Sequence, residues 1–135
     1  MAGGKRETAS IRIPAVPKGP PWEVLFHPDG HKELQLLKRQ SDSHHEAVLA
    51  VIEKLKIHGP ALKSPHQSGV KGDLGKGLRE LRPTGGKTLV RPLYRRFDNL
   101  YVILAIGPEA MVDQRGFVNA VKRAQERRKN IEESN

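Results

Sequence analysis

The stretch GLRELRPTGGKTLVRPLYRRFDNLYVILAIG, Gly77 to Gly107, decides the fold. Three strand-like runs follow one another in it: Leu78–Arg82, Thr88–Phe97 and Leu100–Ile106. They are separated by Pro83-Thr84-Gly85-Gly86 and by Asp98-Asn99, the residue types that make tight turns. The spacing predicts a three-stranded antiparallel meander. On a period of two, Leu89, Arg91, Leu93, Arg95 and Phe97 share one face, and Val90, Pro92, Tyr94 and Arg96 share the other. A cationic stripe therefore stands on the sheet. The last run is apolar on both faces, which suits a central strand covered from both sides. Pro92 has no N–H to give to a ladder, so the middle strand must lie at an edge there or carry a bulge.

Working outward towards the N-terminus, Ala61–Lys76 reads as a loop carrying Lys63, His66, Lys71 and Lys76. Its GDLGKG segment lacks the spacing of a phosphate-binding P-loop. Before it, Val48, Val51, Ile52 and Leu55 follow the i, i+3, i+4, i+7 pattern of a helix packed on a sheet. Ser43 and Glu46 have capping-box spacing for its start, and Gly59-Pro60 stops it. A shorter helix is predicted from His31 to Arg39, after a strand at WEVLF (Trp22–Phe26) closed by His27-Pro28-Asp29-Gly30. Residues 1–21 are rich in Gly, Pro and basic side chains and carry few large apolar ones, which predicts a disordered basic arm.

Beyond the meander, Asp113 is a reasonable N-cap for a final helix reaching about Glu132. Phe117, Ala120, Val121 and Ala124 make its buried stripe, with Lys122, Arg123, Arg127, Arg128 and Lys129 facing outward or trailing from its end. The expected class is α+β: an N-terminal strand, a helical hairpin, the meander and a C-terminal helix, all one domain over residues 22–130.

The chain has 135 residues, with 24 Lys and Arg against 15 Asp and Glu, a formal charge of +9. That excess points to a polyanionic partner, nucleic acid before acidic protein. There is no cysteine, which excludes a disulfide framework, a thiolate zinc site and a thiol nucleophile. His44 and His45 are adjacent on a helix and point in different directions, so no metal site is expected and no cofactor. No apolar run approaches the length of a bilayer span, and the start of the sequence lacks the apolar core of a secretory signal, so a cytoplasmic location is expected.

From Trp22 to about Arg128 the sequence resembles the RelE/ParE superfamily of toxins from type II toxin–antitoxin systems, and within it the HigB-like, phage-derived branch. The residues that carry the resemblance are the WEVLF strand, the helical hairpin, Gly77-Leu78-Arg79-Glu80-Leu81-Arg82, Arg91-Pro92-Leu93-Tyr94-Arg95, the VILAIG strand and the Phe117, Ala120, Ala124 helix. The resemblance implies a RelE-like fold and a ribosome-dependent mRNA endonuclease, an mRNA interferase that inhibits translation, held inactive by a cognate antitoxin of helix-turn-helix type. It implies metal-independent cleavage, in which the ribose 2′-oxygen attacks the adjacent phosphate. Arg91 then falls where the family keeps an arginine that holds the scissile phosphate, Arg82 and Arg79 fall on the neighbouring basic strand, and Glu80 is the nearest candidate proton acceptor. Lys87 and Tyr94 are candidate acid or positioning groups. Arg95, Lys71 and Lys76 complete the expected RNA-binding set.

Two features pull against cleavage. The family's lysine-rich segment after the last strand is replaced by Ile106-Gly107-Pro108-Glu109-Ala110-Met111, and all six histidines precede Gln67. The alternatives are a ParE-like toxin that inhibits DNA gyrase on the same scaffold and a non-catalytic basic module that binds nucleic acid. For Arg91 the competing reading is a strand arginine ion-paired with Glu80, and a carboxylate between arginines is commonly their structural partner.

Overall fold

The computed structural model of the chain describes residues 10–132. In chain order the elements are β1 (Ile11–Arg12), β2 (Glu23–Phe26), α1 (Pro28–Gln40), α2 (Asp42–His58), β3 (Gln67–Gly69), β4 (Arg79–Leu81), β5 (Val90–Phe97), β6 (Leu100–Pro108), α3 (Gln114–Arg128) and β7 (Ile131–Glu132). The five longer-range strands form one sheet in the order β2-β6-β5-β4-β3. β4, β5 and β6 are antiparallel neighbours, the meander that the turn residues dictate. β2 adds to the far side of β6 in parallel.

The sheet separates two apolar layers. The α1–α2 hairpin packs one face with Leu34, Leu37, Val48, Val51, Ile52 and Leu55, meeting Leu81, Val90, Tyr94, Tyr101 and Ile103. α3 packs the other with Ala120, Val121 and Ala124 against Leu93, Phe97, Leu100, Val102 and Leu104. β6 is buried from both sides, as its unbroken apolar run requires.

Pro92 is accommodated in two ways. β4 pairs β5 only at Tyr94 and Leu93, so Pro92 faces no ladder on that side. On the other side Leu93 pairs with Ala105 but Tyr94 pairs with Ile103, which leaves Leu104 as an extra residue in β6. This bulge turns Leu104 and Ala105 both towards α3, while Ile103 and Ile106 both face the hairpin.

The helices start and stop at caps that differ from the sequence expectation. α1 begins three residues earlier, at Pro28, because Pro is suited to the first turn and the His27 Nδ1 accepts from the Asp29 N–H at 3.0 Å. α2 is capped by Ser41 rather than Ser43: Ser41 Oγ accepts from the His44 N–H at 3.2 Å. Gly59 ends it at φ 52°, and a Cβ there would run into the Trp22 indole. Asp113 caps α3 as expected, through Gly116 N–H at 2.9 Å, but the helix stops at Arg128.

Two parts of the chain are more ordered than the sequence predicts. Residues 67–69, read as loop, form β3, whose ladder to β4 is extended by the Arg82 N–H donating to His66 O at 2.8 Å. The arm, read as disordered over residues 1–21, is tied down over 11–16. β1 pairs in parallel with β7, Ile11 N–H donates to Asn130 O at 2.7 Å, and Ile13 is buried beside α3. Alternate apolar side chains in an otherwise polar segment, Ile11, Ile13 and Val16, give the arm anchors that composition averages away. Residues 1–9, with Lys5 and Arg6, lie outside the described residues.

Candidate functional site

The sheet register decides where each expected site residue goes. Arg79 pairs with Tyr94 and Glu80 with Leu93, so successive residues of β4 project to opposite layers. Glu80, with Ser68 opposite it on β3, lines a cleft of about 430 Å³ on the α3 side. Arg82 and Lys71 line the same cleft, and its far wall is the β6–α3 connection with Glu109, Met111 and Gln114.

Beneath this cleft Glu80 joins two arginines. Its Oε2 accepts from Arg82 Nη1 at 2.9 Å and stands 3.8 Å from Arg91 Nε. Arg91, expected to hold a phosphate, is 1% exposed. Its Nη1 donates to Thr88 O at 2.7 Å and to Val90 O at 3.0 Å, and its Nη2 to Gly86 O at 3.4 Å. These carbonyls are turned inward by the Pro83–Gly86 turn, where Thr84, Gly85 and Gly86 all have positive φ. The guanidinium is thus enclosed by its own strand and turn, 3.8 Å from the Glu80 carboxylate, where a phosphate contact was expected. Burial pulls the Arg91 pKa below its ordinary value; Arg82 adds to this, and Glu80 and Glu109 oppose it. Arg91 Nε has no hydrogen-bond partner.

The nine expected site residues do not converge. Glu80, Arg82 and Lys71 share the cleft on the α3 side, with Arg91 below it. Lys76 and Arg95 lie in a separate depression against Gln125 and Arg128 of α3, and Arg95 stacks 5.3 Å from the Phe97 ring centre. Arg79 and Tyr94 lie on the opposite face of the sheet, beside the end of α2. Lys87 is exposed just past the Pro83–Gly86 turn and lines none of these three clefts.

A cluster that sequence reading missed fastens the far edge of β6. Past Phe26 there is no further β2 residue to pair with it, and side chains take the place of a strand. Glu33 Oε1 accepts from the Ile106 N–H at 2.8 Å, Arg123 Nη2 donates to Ile106 O at 3.2 Å, and Arg127 Nη1 donates to Leu104 O at 2.9 Å. Both arginines also bind the Glu33 carboxylate, at 3.0 and 2.7 Å. Burial alone would raise the Glu33 pKa, but the hydrogen bonds from Arg127 and the Ile106 N–H, with both positive charges, hold it below the ordinary value. The i, i+4 spacing of Arg123 and Arg127, flanking the Ala120–Ala124 stripe, was the available signal.

Among the described residues no group of three or more His, Asp or Glu is placed to hold a metal ion. No helix among them is long and apolar enough to cross a membrane.

Comparison with known proteins places this geometry in context. No curated protein sequence matches the chain. Several solved structures are similar to it, among them the following three. The YoeB-YefM complex from Staphylococcus aureus is 14% identical, with a TM-score of 0.49, over 63% of this chain and 93% of that one. The YoeB/ParE toxin from Agrobacterium tumefaciens is 16% identical, with a TM-score of 0.48, over 62% and 94%. A copper-bound mutant toxin from Helicobacter pylori is 19% identical, with a TM-score of 0.46, over 67% and 98%. The family model for the phage derived protein Gp49-like (DUF891) matches residues 35–108, which span α1 from its second turn, α2 and the whole meander. With more than half of its length matched, the chain belongs to the phage-derived Gp49-like (DUF891) family.

Proposed function

We propose that the chain is the toxin of a type II toxin–antitoxin pair and an endoribonuclease acting on mRNA at the ribosome, with the RNA seated in the cleft above Glu80. What supports this reading is one juxtaposition: a carboxylate and a guanidinium 2.9 Å apart, with Lys71, on the walls of an open cleft of about 430 Å³. Glu80 takes the proton of the ribose 2′-hydroxyl as that oxygen bonds to phosphorus. The bond from phosphorus to the 5′-oxygen breaks, and that oxygen takes a proton from water. A 2′,3′-cyclic phosphate and a 5′-hydroxyl result. Arg82 and Lys71 face the charge that builds on the phosphorane, and the fork of Arg82 suits two of its oxygens. Arg91 acts from beneath as a positioning residue for Glu80. A cognate antitoxin of helix-turn-helix type is expected to cover the cleft with acidic and apolar groups that meet Arg82 and Lys71.

Induction of the chain followed by mapping of RNA 5′ ends tests this. New ends within translated messages are expected, and Glu80→Gln and Arg82→Ala should each remove them without loss of folded protein. Growth arrest with intact messages would overturn it.

A second reading, gyrase inhibition, is favoured by the orientation of Tyr94. With that phenol on the opposite face and Lys87 outside the cleft, Lys71 and Arg82 are the only cations lining it among the described residues. Purified protein that traps cleaved DNA in a supercoiling assay, leaving mRNA whole, would establish that reading instead.

A further inference from the structure

The face of the sheet turned away from the Glu80 cleft carries a second opening, of about 370 Å³, between the Gly59–Pro60 turn and β4, β5 and β6. Arg79, Tyr94, Arg96, Tyr101 and Gln67 line it. Their side chains form one connected row. Arg79 Nε donates to Gln67 Oε1 at 2.6 Å. The Arg79 side chain also hydrogen-bonds Tyr94, whose phenol burial pushes up to about 12, a shift that Arg79 opposes. The Tyr94 and Tyr101 rings stand edge to face with centroids 5.8 Å apart, Tyr101 meets Trp22 at 6.3 Å, and Arg96 lies 5.3 Å from the Trp22 ring centre.

The charge balance here differs from that around Glu33 and Glu80. Arg82, Arg91, Arg123 and Arg127 each have a carboxylate within 4 Å. Among the described residues Arg79 and Arg96 have neutral partners only: an amide oxygen, a phenol, an indole face and the Asp98 carbonyl, to which Arg96 Nε donates at 2.8 Å. No acidic side chain among the described residues lines the opening. Two guanidiniums retain donors for an anion, and the phenols add hydroxyl donors with a low tendency to ionise. The size is at the lower end for small-molecule sites, about 300 Å³ and upward.

We infer that this opening is a binding site for a phosphate-bearing ligand of mononucleotide size, gripped by Arg79 and Arg96 with its planar part against Tyr94 and Tyr101. The ligand is either a free nucleoside monophosphate or a single residue of an RNA chain. The site lies across the sheet from the proposed cleavage cleft and does not rest on that reading.

Trp22 is the sole tryptophan of the chain and touches Arg96, so its emission reports on the site directly. The full chain is titrated with adenosine 5′-monophosphate, with inorganic phosphate and with a short single-stranded oligoribonucleotide lacking a terminal phosphate. A saturable change in emission is expected. Saturation by the monophosphate identifies the free nucleotide as the source, and saturation by the oligonucleotide alone identifies the chain. Arg79→Gln and Arg96→Gln, both exposed positions, should each weaken binding about tenfold or more, as loss of a hydrogen-bonded charge does. Lys122→Gln, exposed on α3 across the sheet, should leave it unchanged. Absence of saturation with both nucleotide ligands, or binding that survives in the Arg79→Gln/Arg96→Gln double variant, would overturn the inference.

Discussion

Glu33 and Glu80 each sit between two guanidiniums, Arg123 and Arg127 for the first and Arg82 and Arg91 for the second, yet the two clusters are built for different ends. Around Glu33 the spare hydrogen-bonding groups go to a strand edge: the carboxylate takes the Ile106 N–H while its arginines take the Leu104 and Ile106 carbonyls. Around Glu80 one arginine is enclosed by the Pro83–Gly86 turn and the other stands at a cleft. A carboxylate flanked by arginines is therefore no sign of a binding site by itself. What separates the two is whether the remaining N–H groups meet backbone or open space.

The sharpest break in that comparison is Arg91→Ala. If Arg91 is a structural member, its removal takes one of the two cations from Glu80 and leaves three inward carbonyls without their donor, and unfolding in denaturant should show a loss of roughly 3–5 kcal/mol. A stable variant with lost activity would instead return Arg91 to the list of phosphate ligands. Glu33→Gln should cost less, about 1–3 kcal/mol, because the amide still accepts one of the hydrogen bonds. It should also change the acid limb. The Glu33 pKa is held below 4.5, so the stability it contributes is present above that value and lost as the pH falls through the window beneath it. The variant should lack that part of the acid-induced loss.

His27 sharpens the comparison near neutrality. Burial lowers its pKa from 6.5, Arg127 acts in the same direction, and Asp29 and Glu33 oppose. The unfolded chain therefore takes up this proton first, and stability present above pH 6.5 declines as pH falls through that value. Protonation also removes the Nδ1 lone pair that caps α1. His27→Asn keeps a capping oxygen and should flatten the thermal stability profile between pH 7 and pH 5, an effect on the order of 1 kcal/mol. The smallest stability effect belongs to Arg82→Ala, within about 1 kcal/mol for a partly exposed pair. It is the same variant for which the proposed function expects loss of RNA cleavage.

The backbone of this fold was legible where local chemistry dictates it. Turn residues at 83–86 and 98–99 fixed the meander, and alternation through β5 placed Arg91, Leu93, Arg95 and Phe97 on one face as the structure has them. β3 was not legible: Gln67-Ser68-Gly69 has no apolar alternation, and its strand form comes from pairing with β4. The Glu33 clasp joins residues 73 to 94 positions apart, and the i, i+4 spacing of Arg123 and Arg127 marks one side of it without naming the partner. The expected site was legible as a set of residue types and illegible as a constellation. Period two told which residues share a face, but only the fold shows that Arg91 is roofed by its own turn and that Arg79 and Tyr94 look across the sheet from Glu80.

The extra residue at Leu104 makes β6 two rulers laid end to end with their marks offset by one. Residues before it and after it obey opposite odd–even rules for which layer they enter. Removing Leu104 would bring the rulers into phase and give β5 a continuous ladder, with Ile103 and Ile106 still facing the hairpin and Ala105 still facing α3, yet it would take from Arg127 the carbonyl it binds and from the α3 layer a buried leucine. A shorter strand would thus be more regular and less well fastened. For the same reason, an alignment of related chains that slides through this strand without a gap will exchange inward and outward positions on one side of it.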